Sequence, residues 1–119
     1  MKILTFVDII SAWGNAIKNK DKTEFEGMLS EDFVWRNVAL EGVSSKAESL
    51  EWVMEVADFR IGDYKSLHDG EDVLVGTHTV TQAGRDETIV LCVVNISEDG
   101  NQVKMWSTFV PSILSEAVT

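Results

Sequence analysis

Residues 89–94 read Ile-Val-Leu-Cys-Val-Val, apolar at every position. A strand with no polar alternation is covered on both faces, so its sheet carries something on its far side as well as on its core side. In a chain of 119 residues the simplest cover is a second subunit. Turn signals bracket this strand. Asp69-Gly70 marks a hairpin between a strand ending near Leu67 and one starting near Asp72. Gly84 breaks the next pair, and Asp99-Gly100-Asn101 the last. Strands over 59–68, 72–83, 86–97 and 102–110 follow, joined as an antiparallel meander.

Before Ala57 the apolar period is helical. Phe6, Ile9, Ile10, Trp13, Ala16 and Ile17 form one stripe, with Thr5 and Asp8 placed as an N-cap and its reciprocal partner. Asp21 and Glu24 repeat that spacing ahead of a short helix whose apolar face is Phe25, Met28 and Leu29. Ser45 and Glu48 open a third helix, burying Leu50, Val53, Met54 and Ala57. Between the second and third helices, the aromatic and β-branched stretch from Phe33 to Asn37 reads as a strand.

Composition closes off several classes. Apolar residues make up 45% and charged residues 25%, an ordinary globular balance. With one proline, Pro111, no repeat and no linker, a single domain over 1–119 is expected. The formal charge of −10 repels phosphate backbones and anionic lipids, so no nucleic-acid partner and no membrane partner are expected. No apolar run approaches the ~18 residues that span a bilayer. The opening Met-Lys-Ile-Leu-Thr-Phe-Val is interrupted by Asp8 and lacks a cleavage site, so no signal peptide is expected. Cys92 has no second cysteine to pair with, and a cytoplasmic setting follows. Two histidines and one cysteine, well separated, make no metal cluster, and the glycines are spaced as turns rather than as a phosphate loop. No metal and no cofactor are expected.

The order helix, short helix, strand, helix and four-stranded meander resembles the nuclear transport factor 2-like (NTF2-like) superfamily, including its SnoaL-like and ketosteroid isomerase-like members. The residues that carry the likeness are Trp13, the short helix from Asp21 to Leu29, and Glu31-Asp32-Phe33-Val34-Trp35 entering the first strand. At the other end it rests on Gly100-Asn101-Gln102-Val103-Lys104-Met105-Trp106. The resemblance implies an α+β, cone-shaped, cystatin-like fold, with three N-terminal helices packed on a curved, mostly antiparallel sheet. It further implies an apolar pocket inside the cone and a homodimer through the outer sheet face. Val90, Cys92 and Val94 are expected on that outer face, beside Thr77, Thr79, Met105 and Ser107.

Laid on this chain, the family's steroid-isomerase roles are vacant. The phenol donor falls on Trp13, the carboxylate base on Asn37, and the partner acid near Val93. In SnoaL-type cyclases an acid ends the last strand, where this chain has Val110-Pro111. His78 shares a strand face with Leu74, Gly76 and Val80, and the resemblance turns that face into the pocket. There an imidazole is either a catalytic acid-base group or a hydrogen-bonded part of the wall. Trp13, Trp35 and Trp106 are candidate pocket walls, with Asn37 and Val93 beside them, while Trp52 reads as core. Asp58 is a candidate partner for His78, and His68 is expected at the surface.

Three functions fit. One is a pocket protein for a small apolar or aromatic metabolite. The second is a cofactor-independent lyase, isomerase or hydrolase using His78. The third is a dimerisation module whose pocket is filled by tryptophan.

Overall fold

A computed structural model describes residues 3–38 and 42–110, in the order α1 (Phe6–Asn19), α2 (Thr23–Met28), β1 (Leu29–Asn37), β2 (Gly42–Ser45), α3 (Lys46–Glu55), β3 (Phe59–Asp69), β4 (Val73–Gln82), β5 (Thr88–Ile96) and β6 (Val103–Phe109). Local chemistry sets the two longer helices. Thr5 accepts the Asp8 N–H while Asp8 takes the Thr5 N–H, and Ser45 and Glu48 do the same for α3. Each such box is worth about 1 kcal/mol. The apolar stripe of α1 is buried as its spacing requires, from Phe6 to Ile17. Lys20 ends α1 in the left-handed region at φ 53°. Its amine then donates to the terminal carbonyls of α3, Val53 O at 3.2 Å and Val56 O.

The capping pair expected at Asp21 and Glu24 does not form. Asp21 Oδ1 accepts the Thr23 N–H at 3.0 Å in a local turn, and Lys22 occupies the cap with no side-chain bond. The helix is therefore short, and Leu29 already belongs to β1.

All strands join one sheet in the order β2-β1-β6-β5-β4-β3. The expected meander from β3 to β6 is present, with every neighbour antiparallel. The sequence reading missed β2 and the parallel pairing of β1 on β6. Residues 42–45 offer almost no strand signal of their own, and Ser45 both ends β2 and caps α3.

Register corrects one further expectation. Strands ending at 83 and starting at 86 leave a two-residue turn, which would set 83 opposite 86. The chain instead closes a turn with Arg85 N–H donating to Gln82 O at 3.1 Å, with Gly84 at φ 77°. Val80 then lies opposite Thr88 and His78 opposite Val90, one residue out of that register. A one-residue shift exchanges the two faces of a strand. Val90, Cys92 and Val94 therefore face the helices and are buried. Ile89, Leu91 and Val93 hold the outer face, with Val75, Thr77, Thr79, Met105 and Ser107.

α1 lies across β3 and β4. Asp69 Oδ1 accepts the Phe6 N–H at 2.9 Å, so an acid from the β3 end meets an unpaired donor of the first helical turn. The Phe6 ring rests on Gly76, where a Cβ would come within 2.3 Å of it. Among the described residues no helix is long and apolar enough to cross a membrane.

Candidate functional site

Trp13 is the centre of the space between α1, α3 and the sheet. Its ring lies 5.3 Å from Trp35, 5.4 Å from Trp106 and 6.0 Å from Trp52, centroid to centroid. Trp35 and Trp106 stack at 4.6 Å because β1 and β6 run in parallel with these two residues in register. Three of the expected wall residues are thus brought together by a strand pairing that the sequence did not reveal. Trp52 is not core: it is 41% exposed and closes the cluster from α3.

Two cavities border Trp13. One, of about 420 Å³, is walled by Trp13, Phe59, Val80 and Val90, with His78, Asn37 and Thr108 among its polar residues and Arg85 and Asp86 at its exposed rim. The other, of about 360 Å³, lies between Trp13, Trp35 and Trp52 and carries Ser44, Glu48 and Ser49. Asn37 borders both, at the end of β1 opposite Thr108. A wider open groove of about 840 Å³ is bordered by α1, the end of α3 and the start of β3, with Lys18, Lys20 and Arg60 along it.

His78 is 2% exposed and stands edge-on to Trp13, ring centroids 5.5 Å apart. It lies opposite Val90 on the inner face of β4. Its Nδ1 is 3.2 Å from the Thr79 carbonyl, while Nε2, at the far end of the ring, is buried without a hydrogen-bond partner. Burial holds the imidazole below its ordinary pKa, and the Thr79 hydrogen bond offsets this only in part. The ring is therefore neutral at physiological pH. Asp58, exposed at φ 55°, does not pair with it. His68 is exposed as expected.

Val93 is the site residue the sequence misplaced. It pairs with Val75 and Ser107 on the outer face, and Val90 takes the position at the cavity wall. The inner row of β5 is thus Val90, Cys92 and Val94, none of them a carboxylate. Burial pushes the Cys92 thiol up to about 12, so it is no acid either. Phe59 and Thr108 were not singled out from sequence, and Val90 was expected on the outer face; Val80 shares the parity of His78. Val110 reaches the cavity, and Pro111, its partner in the cyclase comparison, lies outside the described residues. Among the described residues no three side chains are grouped to hold a metal ion.

Compared by sequence, the chain matches no family model and no curated protein. Solved structures match it over most of its length. An NTF2-like protein of unknown function from Cytophaga hutchinsonii superposes with a TM-score of 0.70 at 12% identity, covering 97% of this chain and 99% of that one. The chain has the NTF2-like fold. Within that fold it is also similar to a proposed SnoaL-like polyketide cyclase from Shewanella denitrificans, with a TM-score of 0.64 at 8% identity over 94% and 95% of the two chains. A hypothetical protein with a ketosteroid isomerase-like fold from Catenulispora acidiphila, in complex with trimethylamine, gives 0.64 at 10% identity over 89% and 86%. At such identities the likeness to other NTF2-like structures concerns the fold alone, and the site must be argued from its own residues.

Proposed function

We propose that this chain is a single-domain pocket protein that binds a small apolar or aromatic molecule beside Trp13 and His78. The cavity of about 420 Å³ carries the reading: its volume lies within the range of small-molecule sites, and its walls are aromatic and aliphatic with a few polar groups. A pocket filled by tryptophan would leave no such space, which argues against a purely structural module. An enzyme using His78 as its acid-base group is the second reading. It is favoured by a neutral, buried ring with an unoccupied nitrogen, and weakened by the lack of any carboxylate bonded to that ring. Steroid isomerisation is not proposed, because Trp13, Asn37 and the inner row of β5 supply neither base nor acid.

We also propose a homodimer through the outer sheet face, whose central rows are Ile89, Leu91 and Val93 beside Val75, Thr77 and Thr79. A reducing, cytoplasmic setting suits the single buried thiol.

The binding reading is tested with N-phenyl-1-naphthylamine, a neutral apolar fluorophore. Saturable enhancement at one dye per chain is expected. Val90→Trp should fill the cavity and suppress the signal while the protein still unfolds cooperatively. Enhancement that is absent, or that survives Val90→Trp unchanged, overturns the assignment.

A further inference from the structure

We infer that the cavity beside His78 selects a neutral ligand that donates a hydrogen bond, of the hydroxyarene class, over the same skeleton bearing only acceptors. The inference rests on the binding reading above and adds the polarity of the ligand to it. The Thr79 carbonyl can only accept a hydrogen bond. At 3.2 Å from it, Nδ1 must therefore carry the ring proton. In a neutral imidazole that leaves Nε2 as a bare lone pair.

Nε2 is buried and unpartnered, and it belongs to a side chain that is 2% exposed and lines the cavity. A buried acceptor left unsatisfied is destabilising, because its hydration is lost and nothing replaces it. A ligand hydroxyl or N–H that reaches this nitrogen through a small turn of the ring toward the cavity would recover part of that cost, whereas a ketone, ether or carboxylate oxygen would face the lone pair. The alternative, protonating the ring so that it becomes a donor at both nitrogens, is opposed by its burial. The charged groups of this cavity, Arg85 and Asp86, are of opposite sign and exposed at its rim, so neither provides a buried counter-charge for an imidazolium. The wall also carries the amides of Asn37 and Gln82 and the hydroxyls of Thr88 and Thr108, each able to donate as well as accept, so the bare nitrogen of His78 is its one neutral group that can only accept. Trp13 and Phe59 stand at 69° to one another, 5.7 Å apart, with Val80 and Val90 completing the wall. A bicyclic phenol fits the aromatic part of that wall and supplies the donor that Nε2 lacks.

The test compares 2-naphthol with 2-methoxynaphthalene by calorimetry or tryptophan quenching, on the native protein and on His78→Phe. The naphthol should bind about three- to tenfold more tightly to the native protein. That preference should vanish in His78→Phe, with the methoxy compound little affected. Equal binding of the two to the native protein overturns the donor inference and leaves the binding reading standing. Failure of both to bind removes the binding reading, and this inference with it. Nitrogen-15 chemical shifts of the imidazole give an independent measurement that needs no variant. A proton on Nδ1 and a bare Nε2 are expected, with Nε2 shifting when 2-naphthol is added. A proton found on Nε2 overturns the inference even if apolar ligands bind.

Discussion

The imidazole of His78 and the indole of Trp13 form a T-shaped pair, at 70° to one another with centroids 5.5 Å apart. This contact joins β4 to α1 across the interior and seals one side of the ring from water. A charge on the imidazole ring would be introduced on a side chain that is almost wholly buried. Stability and pH are therefore linked through one residue.

The unfolded chain takes up a proton on this ring near the ordinary histidine value of about 6.5. The folded chain takes it up only at a lower pH. Between those two values unfolding binds a proton, so stability falls as pH drops below about 6.5, and this residue has no effect above it. The slope approaches about 1.4 kcal/mol per pH unit while the folded ring stays neutral. Asp21, Asp32, Glu48 and Asp99 are held below their usual values by hydrogen bonds from Thr23, Ser30, Ser45 and Ser97, so their contributions are lost further down the scale. Urea unfolding between pH 7 and pH 5 should show a drop in the native protein that is smaller in His78→Phe. Identical pH profiles would remove His78 as its source.

Gly76 and Gly27 should respond oppositely to alanine. At Gly76 a methyl group would lie 2.3 Å from the Phe6 ring, which is itself fully buried. Overpacking of this kind costs about 1–3 kcal/mol. At Gly27, in α2, nothing lies within 4 Å of the added carbon. Relief of backbone entropy there should stabilise by about 0.5–1 kcal/mol. Denaturant midpoints of the two variants check both signs.

What was legible in the sequence was local. Thr5 with Asp8 and Ser45 with Glu48 announce their helices because both partners lie within one turn. His78 was placed by the alternation of β4, where Thr77 and Thr79 mark the opposite face. The run from Ile89 to Val94 carries no alternation, so it holds no information about which residues point inward. Only the length of the 82–88 connection decides that, and Gly84 alone does not specify it. The same limit hid the stacking of Trp35 on Trp106, which needs strands far apart in sequence to pair in parallel. Phe59 and Val90 became cavity walls through that tertiary arrangement, not through any motif.

Steroid isomerase activity should be absent. The correction at Val93 leaves this unchanged, since Val90, Cys92 and Val94 on the inner face include no carboxyl group and the thiol is held near 12. A β,γ-unsaturated 3-oxosteroid should show no protein-dependent rise in conjugated-enone absorbance. A saturable rate would overturn this prediction and make His78, the one neutral nitrogen base lining the cavity, the first candidate for the proton acceptor.

Cys92 should be inert while the chain is folded. It is fully buried, and its thiol is pushed up to about 12, so almost none is thiolate at pH 8. An aromatic disulfide reagent should label it only in denaturant, with a native rate suppressed at least about a hundredfold. Rapid labelling of the native protein would show that the β5–β6 region opens readily.

The dimer prediction now rests on a different row of β5. Ile89, 55% exposed, and the half-buried Leu91 and Val93 line up with Val75, Thr77, Thr79 and Met105 on the outer face. Left wet, they would expose apolar side chains along the outer face of a chain whose formal charge is −10. Pairing two such faces around a two-fold axis would bury them and keep the charge of −10 per chain facing solvent. Light scattering at micromolar concentration should return twice the chain mass. Leu91→Lys should place an unpaired ammonium in the interface and weaken association by about a hundredfold or more, with the fold and dye binding retained. Val90→Lys should behave differently: its charge enters the cavity wall opposite His78, so the fold or the binding fails first. A native protein that remains monomeric at high micromolar concentration would rule the interface out. Dissociation by Val90→Lys with Leu91→Lys still dimeric would mean that β5 presents the other face outward.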